Sequence, residues 1–170
     1  MISKKIEKAF NDQIQAELYS AYLYLAMSAY FTAENLEGMA HWMRMQAEEE
    51  NIHMMKFFDY ILSRGGKVEL DQVNAPPTEW DSPLSAFEAA YGHEQMITAK
   101  INALVDLALA ESDHASNAFL QWFVTEQVEE EESVLEIIDQ LKLIKHDPGA
   151  LFMLDRELGQ RAAAATTQEA

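Results

Sequence analysis

The chain has no cysteine, which excludes disulfides, thiolate zinc sites, iron–sulfur clusters and thiol nucleophiles. That absence is also compatible with a reducing compartment. Proline and glycine are scarce, four and six among 170 residues, so few positions interrupt a regular backbone. No apolar run approaches the roughly 18 residues of a membrane-spanning helix. The opening Met1-Ile2-Ser3-Lys4-Lys5-Ile6-Glu7 has no apolar signal region and leads straight into an amphipathic pattern. Basic charge is short as well: 12 Lys and Arg stand against 29 Asp and Glu, a net charge of −17. Such acidity repels phosphate backbones and anionic headgroups, so neither nucleic acid nor a membrane is an expected partner. A cytoplasmic protein with an affinity for cations is expected.

What is present is 49% hydrophobic and 24% charged, rich in Ala, Leu, Glu and Met, which predicts one globular, all-α domain. Four long segments carry helical periodicity. The first is predicted over about 3–32, with Ser3 as N-cap and the stripe Ile6, Phe10, Ile14, Glu17, Ala21, Tyr24, Ser28 and Phe31. The second, over about 35–64, carries Met39, Met43, Gln46, Glu50, His53, Phe57 and Ile61 and stops at Gly65-Gly66. Residues 65–82 then break the pattern. A connection that long in a compact domain reports topology: it takes the chain from one end of a bundle to the other and makes helices two and three parallel. Asp81 or Ser82 caps the third helix, with Pro83 in its first turn. Its stripe, as far as about residue 111, is Leu84, Phe87, Tyr91, Glu94, Thr98, Ile101, Val105 and Ala108. The fourth, over about 116–145, carries Phe119, Phe123, Gln127, Glu130, Val134, Ile137, Leu141 and Ile144. His146-Asp147-Pro148-Gly149 ends it, and a short fifth helix, about 150–160, sets Leu151, Leu154 and Leu158 on one face. Residues 1–160 thus form one domain and 161–170 a loose tail.

Four of these stripes contain a glutamate, and an unpaired carboxylate in a core costs several kcal/mol or takes up a proton. Taken singly, each glutamate is a good helix former that belongs on a solvated face. Glu130, inside Glu129-Glu130-Glu131-Glu132, invites that reading most. Jointly they argue otherwise. Glu17, Glu50, Glu94 and Glu130 each lie roughly 11–15 residues into their helices, about 16–22 Å along the axis, so a bundle brings them to one level. His53 follows Glu50 by one turn. Four carboxylates and one imidazole balance and ligate two divalent cations, and such an oxygen-rich set suits Fe(II) or Mn(II). Unfilled, the carboxylates repel one another and their pKa values rise. Tyr24, two turns past Glu17, is either a core aromatic with a satisfied hydroxyl or a group at the edge of the metals. Gln127, one turn before Glu130, aims a neutral amide at the same place. Glu49, Glu126 and Glu129 form a second acidic set, evenly balanced between a solvated face and a third cation position. His41, His93, His114 and His146 have no carboxylate at ligand spacing and are read as ordinary; the nine Met are read as core filling.

Glu17, Glu50-Asn51-Ile52-His53, Glu94 and Gln127-Val128-Glu129-Glu130 resemble the ferroxidase centre of a prokaryotic non-haem ferritin. Inward carboxylates and Glu-x-x-His pairs on four helices are the known template of ferritin-like di-iron bundles. The resemblance covers about residues 1–160 and implies a ferritin-like four-helix bundle with a long crossover between helices two and three. It implies that Glu17, Glu50 and His53 bind one iron, that Glu94 and Glu130 bind a second, and that Glu50 bridges them. It further implies a third iron on Glu49, Glu126 and Glu129, with Tyr24 and Gln127 beside the centre. The implied activity is oxidation of Fe(II) by O2 or H2O2 and storage of ferric mineral in a homo-24-mer. Bacterioferritins have a second Glu-x-x-His where this chain has Gln127-x-x-Glu130, and a haem-binding methionine where it has Asn51; no haem is expected. Two rivals stand beside this reading: a di-iron or manganese–iron oxidase of a small organic substrate, and a metal-free helical module docking through its fifth helix.

Overall fold

The computed structural model describes residues 1–145 and 147–163, so His146 and residues 164–170 of the expected tail lie outside the described residues. Five α-helices follow one another: α1 (Lys4–Ala33), α2 (Glu37–Ser63), α3 (Pro83–Ala110), α4 (His114–Ile144) and α5 (Pro148–Leu158). No strand occurs among the described residues, and no described helix is long and apolar enough to cross a membrane.

Local chemistry sets the ends. The Ser3 hydroxyl accepts from the Ile6 amide and starts α1. Ser82, rather than Asp81, caps α3, in a reciprocal capping box with Ser85. Asp113 caps α4 by accepting from the Ser116 amide and is itself paired with Arg64 at 3.1 Å, so α4 begins two residues before the expected 116. Asp147 caps α5, whose first residue is Pro148 rather than 150. Three helices end in the same left-handed turn. Gly65 (φ 70), Asn35 (φ 59) and Ser112 (φ 55) let Gly66, Leu36 and Asp113 reach back to the carbonyls of Ile61, Phe31 and Ala108. Only the first of these carries the expected glycine. Asn35 therefore belongs to the turn, and α2 starts two residues late.

Two apolar clusters fix the topology. Phe31, Met39, Met43, Phe87, Val134 and Leu141 share one end of the bundle with Leu154 and Leu158 of α5. Ile6, Phe10, Phe57, Ile61, Ile101, Leu120 and Phe123 share the other. The C-terminal half of α1 thus lies beside the N-terminal halves of α2 and α3 and the C-terminal half of α4. Helices α1/α2 and α3/α4 are antiparallel hairpins, and α2 runs parallel to α3, as the long connection requires. The stripes expected on α1 and α2 are buried throughout. That of α3 is turned by about one residue: Ala90, His93, Ile97 and Leu104 are buried beside Phe87, Glu94 and Ile101, while Tyr91, Thr98 and Val105 are half-buried. His93 faces α1, where its Nε2 lies 2.7 Å from the Ser20 hydroxyl. Between the two apolar clusters sits a polar layer.

Candidate metal centre

Each long helix sends one glutamate into that layer, and all four are nearly inaccessible: Glu17 1%, Glu50 2%, Glu94 0% and Glu130 4% exposed. Neighbouring amides hold them only in part. Gln13 donates to Glu17 Oε1 at 2.8 Å, and Gln46 donates to Glu130 Oε2 at 2.6 Å. Gln127 donates to Glu94 Oε2 at 3.2 Å, and the Tyr24 hydroxyl donates to Glu94 Oε1. Among the described residues, Glu17 Oε2, Glu50 Oε2 and Glu130 Oε1 are buried with no N–H or O–H donor at hydrogen-bond geometry. A folded core leaves few such atoms, and three carboxylate oxygens in one layer call for a ligand.

The electrostatics agree. Burial lifts the Glu17 carboxyl to about 7. Glu50 is raised well above the usual carboxylate range by burial and then by Glu94, Glu17 and Glu130. Glu130 is raised well above it by burial and then by Glu94 and Glu49. Glu94 is also raised, chiefly by burial, against the lowering effect of the Tyr24 and Gln127 hydrogen bonds. Burial, helped by Lys56, pushes His53 down to about 4, so its ring is neutral at pH 7. The 3.4 Å contact of His53 Nδ1 with Glu50 Oε2 is therefore not an ion pair, and the ring keeps a free lone pair. Burial likewise raises the Tyr24 hydroxyl, followed by Glu94, Glu50 and Glu130.

Two groups in this region can each converge on one ion. Glu17, Glu50 and His53 offer ligand atoms within 4.8 Å of one another, and so do Glu49, His53, Glu126 and Glu130. The first set is fully buried; in the second, Glu49 and Glu126 are half-buried. Arg161 Nη2 donates to Glu49 Oε2 at 2.7 Å.

The ferritin-like domain family matches this chain over residues 7–144. The chain belongs to that family. A bacterial non-heme ferritin of Bacteroides fragilis is 45% identical over 161 residues, covering 95% of this chain and all of that protein. Its counterpart in Staphylococcus aureus is 38% identical over 161 residues, covering 95% and 97%. An open pore ferritin from the archaeon Archaeoglobus fulgidus superposes with a TM-score of 0.95 at 52% identity, covering 95% of this chain and 100% of that one.

Within this ferritin-like bundle, most of the residues singled out in the sequence lie together. Glu17, Glu50, His53, Glu94, Glu130, Tyr24 and Gln127 share the buried layer, and Glu49 and Glu126 border it. Glu129 belongs to neither converging group; it is exposed and acts on Glu49 and Glu126 only through its charge. Three contributors were not singled out. Gln13 precedes Glu17, and Gln46 precedes Glu50, by one helical turn, so a buried amide one turn before a buried glutamate was the available signal. Arg161 left no signal, because it follows the last periodic segment.

Proposed function

We propose that this protein oxidises Fe(II) at the buried layer and stores the Fe(III) produced. The observation that carries the reading is the set of three orphaned carboxylate oxygens beside a neutral imidazole. Two divalent ions would complete the coordination of those atoms and cancel four negative charges, offsetting the burial and the mutual repulsion that lift the carboxyls. The bacterial non-heme ferritins among its relatives agree with that chemistry.

In this reading Glu17, Glu50 and His53 hold one Fe(II), Glu94 and Glu130 hold the other, and Glu50 spans the two. Each Fe(II) gives up one electron; the pair, with two protons, would take O2 to H2O2 or H2O2 to two waters. The protein's part is positional. Gln13 and Gln46 each hold one oxygen of Glu17 and Glu130 and leave the other for metal, while Gln127 and the Tyr24 hydroxyl hold the two oxygens of Glu94, each of which keeps a second lone pair for metal. Glu49 and Glu126, with His53 and Glu130, supply a third, outer position; Glu129 is close enough to add charge. Residues 1–160 act as one unit, and copies assemble into a 24-subunit shell in the cytoplasm.

Iron titration under air tests this. Wild-type protein is expected to oxidise two Fe(II) per chain in a fast phase, and Glu50→Ala or Glu130→Ala should slow that phase at least tenfold. Fast oxidation surviving in both variants would sink the assignment. An oxidase of a small organic substrate instead predicts a monomer or dimer by light scattering.

A further inference from the structure

The outer position already has a cation beside it. Arg161 follows α5, and several contacts bring it to its place. Asp155 of α5 accepts the Met39 amide at 2.8 Å. His41 Nε2 lies 2.8 Å from the Arg161 carbonyl oxygen. The guanidinium lies over the Trp42 ring, 4.4 Å from its centre. From there Nη2 donates to Glu49 Oε2 at 2.7 Å, while Nη1 is buried with no acceptor among the described residues. Glu49 is also one of the four residues that converge with His53, Glu126 and Glu130. In the same group Glu130 Oε1, on a residue 4% exposed, has no partner among the described residues.

The guanidinium holds Glu49 Oε2 and leaves Oε1, so a metal ion in this group would share the carboxylate with a second cation a few ångströms away, and the two positive charges repel each other. We propose that Arg161 is a built-in competitor for the outer cation position. With no metal it neutralises Glu49; a divalent ion entering the group displaces it and frees the segment after α5 from Trp42. The inference rests on the metal-binding reading above and adds a regulator to it. The pair suits exchange. It is incompletely satisfied, with one guanidinium nitrogen unmatched, and its side chains are 24% and 18% exposed, so water replaces either partner at low cost. The outer position is then the last to fill and the first to empty, and an ion there is in transit.

Calorimetric titration of the metal-free, full-length protein with Zn(II), which has no redox chemistry, tests the idea without any assay of oxidation. Arg161→Gln should tighten the weakest binding step by about tenfold, and Arg161→Lys should leave it near wild type. Glu49→Gln should abolish that step in either background, which identifies it. Amide hydrogen exchange gives a second readout: residues 159–163 should exchange faster once Zn(II) saturates the wild type, and should already be fast in Arg161→Gln. An outer step unchanged or weakened by Arg161→Gln overturns the proposal, as does exchange in 159–163 that ignores Zn(II). Failure of the underlying reading looks different. There, wild type and Glu50→Ala would bind Zn(II) alike at every step, and the competitor role would fall with it.

Discussion

Every inward glutamate is raised by burial, and three of the four are raised further by one another, which gives the metal-free core a pH dependence with a definite sign. A carboxyl whose folded pKa exceeds its unfolded value binds more protons in the native state, so its stabilising effect is lost as pH rises through that folded value. For Glu17 the window runs from 4.5 to about 7. His53 and His93 act oppositely. Both are held down to about 4 from 6.5, chiefly by burial, so their contribution grows as pH rises through that interval and is complete above 6.5. Of these groups, only the carboxyls raised above that interval still lose stabilisation as pH rises beyond 6.5. Metal-free protein is therefore expected to lose several degrees of Tm between pH 6.5 and 8, where about 1 kcal/mol moves Tm by roughly 2–4 °C in a chain this size. Glu50→Gln should flatten that slope, and saturating Zn(II) should remove it. A Tm that rises over this interval in chelator-treated protein would contradict the account.

The same scale shows what the sequence could disclose. Glu17, Glu50 and Glu130 were legible because each interrupts a long apolar stripe whose phase is unambiguous. On α3 two adjacent columns, Tyr91/Thr98/Val105 and Ala90/Ile97/Leu104, are about equally apolar. Packing against α1, with His93 meeting Ser20, decides between them. Arg161 was illegible for another reason: its partner Glu49 lies 112 residues away, and no period links a terminal segment to a bundle face.

Among the elements, α5 does more than add a short helix. Leu36, at the N-cap of α2, offers no capping side chain. The Met39 amide is satisfied instead by Asp155, from the other end of the chain. The close approach needs Gly38, where an added Cβ would lie 1.6 Å from the Asp155 carbonyl oxygen. Asp155→Ala removes one cap and should cost about 1 kcal/mol. Gly38→Ala sets a side chain against backbone that cannot rotate away, so it should cost more, about 1–3 kcal/mol, unless α5 undocks. Thermal unfolding ranks the two, and protease cleavage between α4 and α5 in Gly38→Ala would show undocking. Equal, negligible effects would mean that α5 is not held by this joint. Neither partner was visible beforehand, since an isolated Gly near a helix start and an Asp inside a short helix have ordinary local explanations. The helix boundaries tell a similar story: Gly65 announced its turn, whereas Asn35 and Ser112 adopt the same left-handed geometry without glycine.

At the scale of the whole molecule, the chain leaves apolar surface that its own fold does not use. Helix α5 turns Leu154 and Leu158 inward but leaves Phe152 60% and Met153 66% exposed, next to Leu143 of α4 at 82%. A groove of about 840 Å³, lined by Leu143, Ile144, Met153 and Leu154 among others, runs between the two helices. On a chain of net charge −17, such a patch favours burial against another surface over exposure to water. Assembly into the proposed shell supplies that surface from further copies. Light scattering of the wild type should then give about twenty-four chain masses. Introducing charge with Phe152→Glu and Met153→Glu together should lower the mass while the helical circular dichroism stays unchanged, because both side chains already point away from the core. A double variant that still assembles fully would remove α5 from the interface, and a monomeric wild type would remove the shell itself.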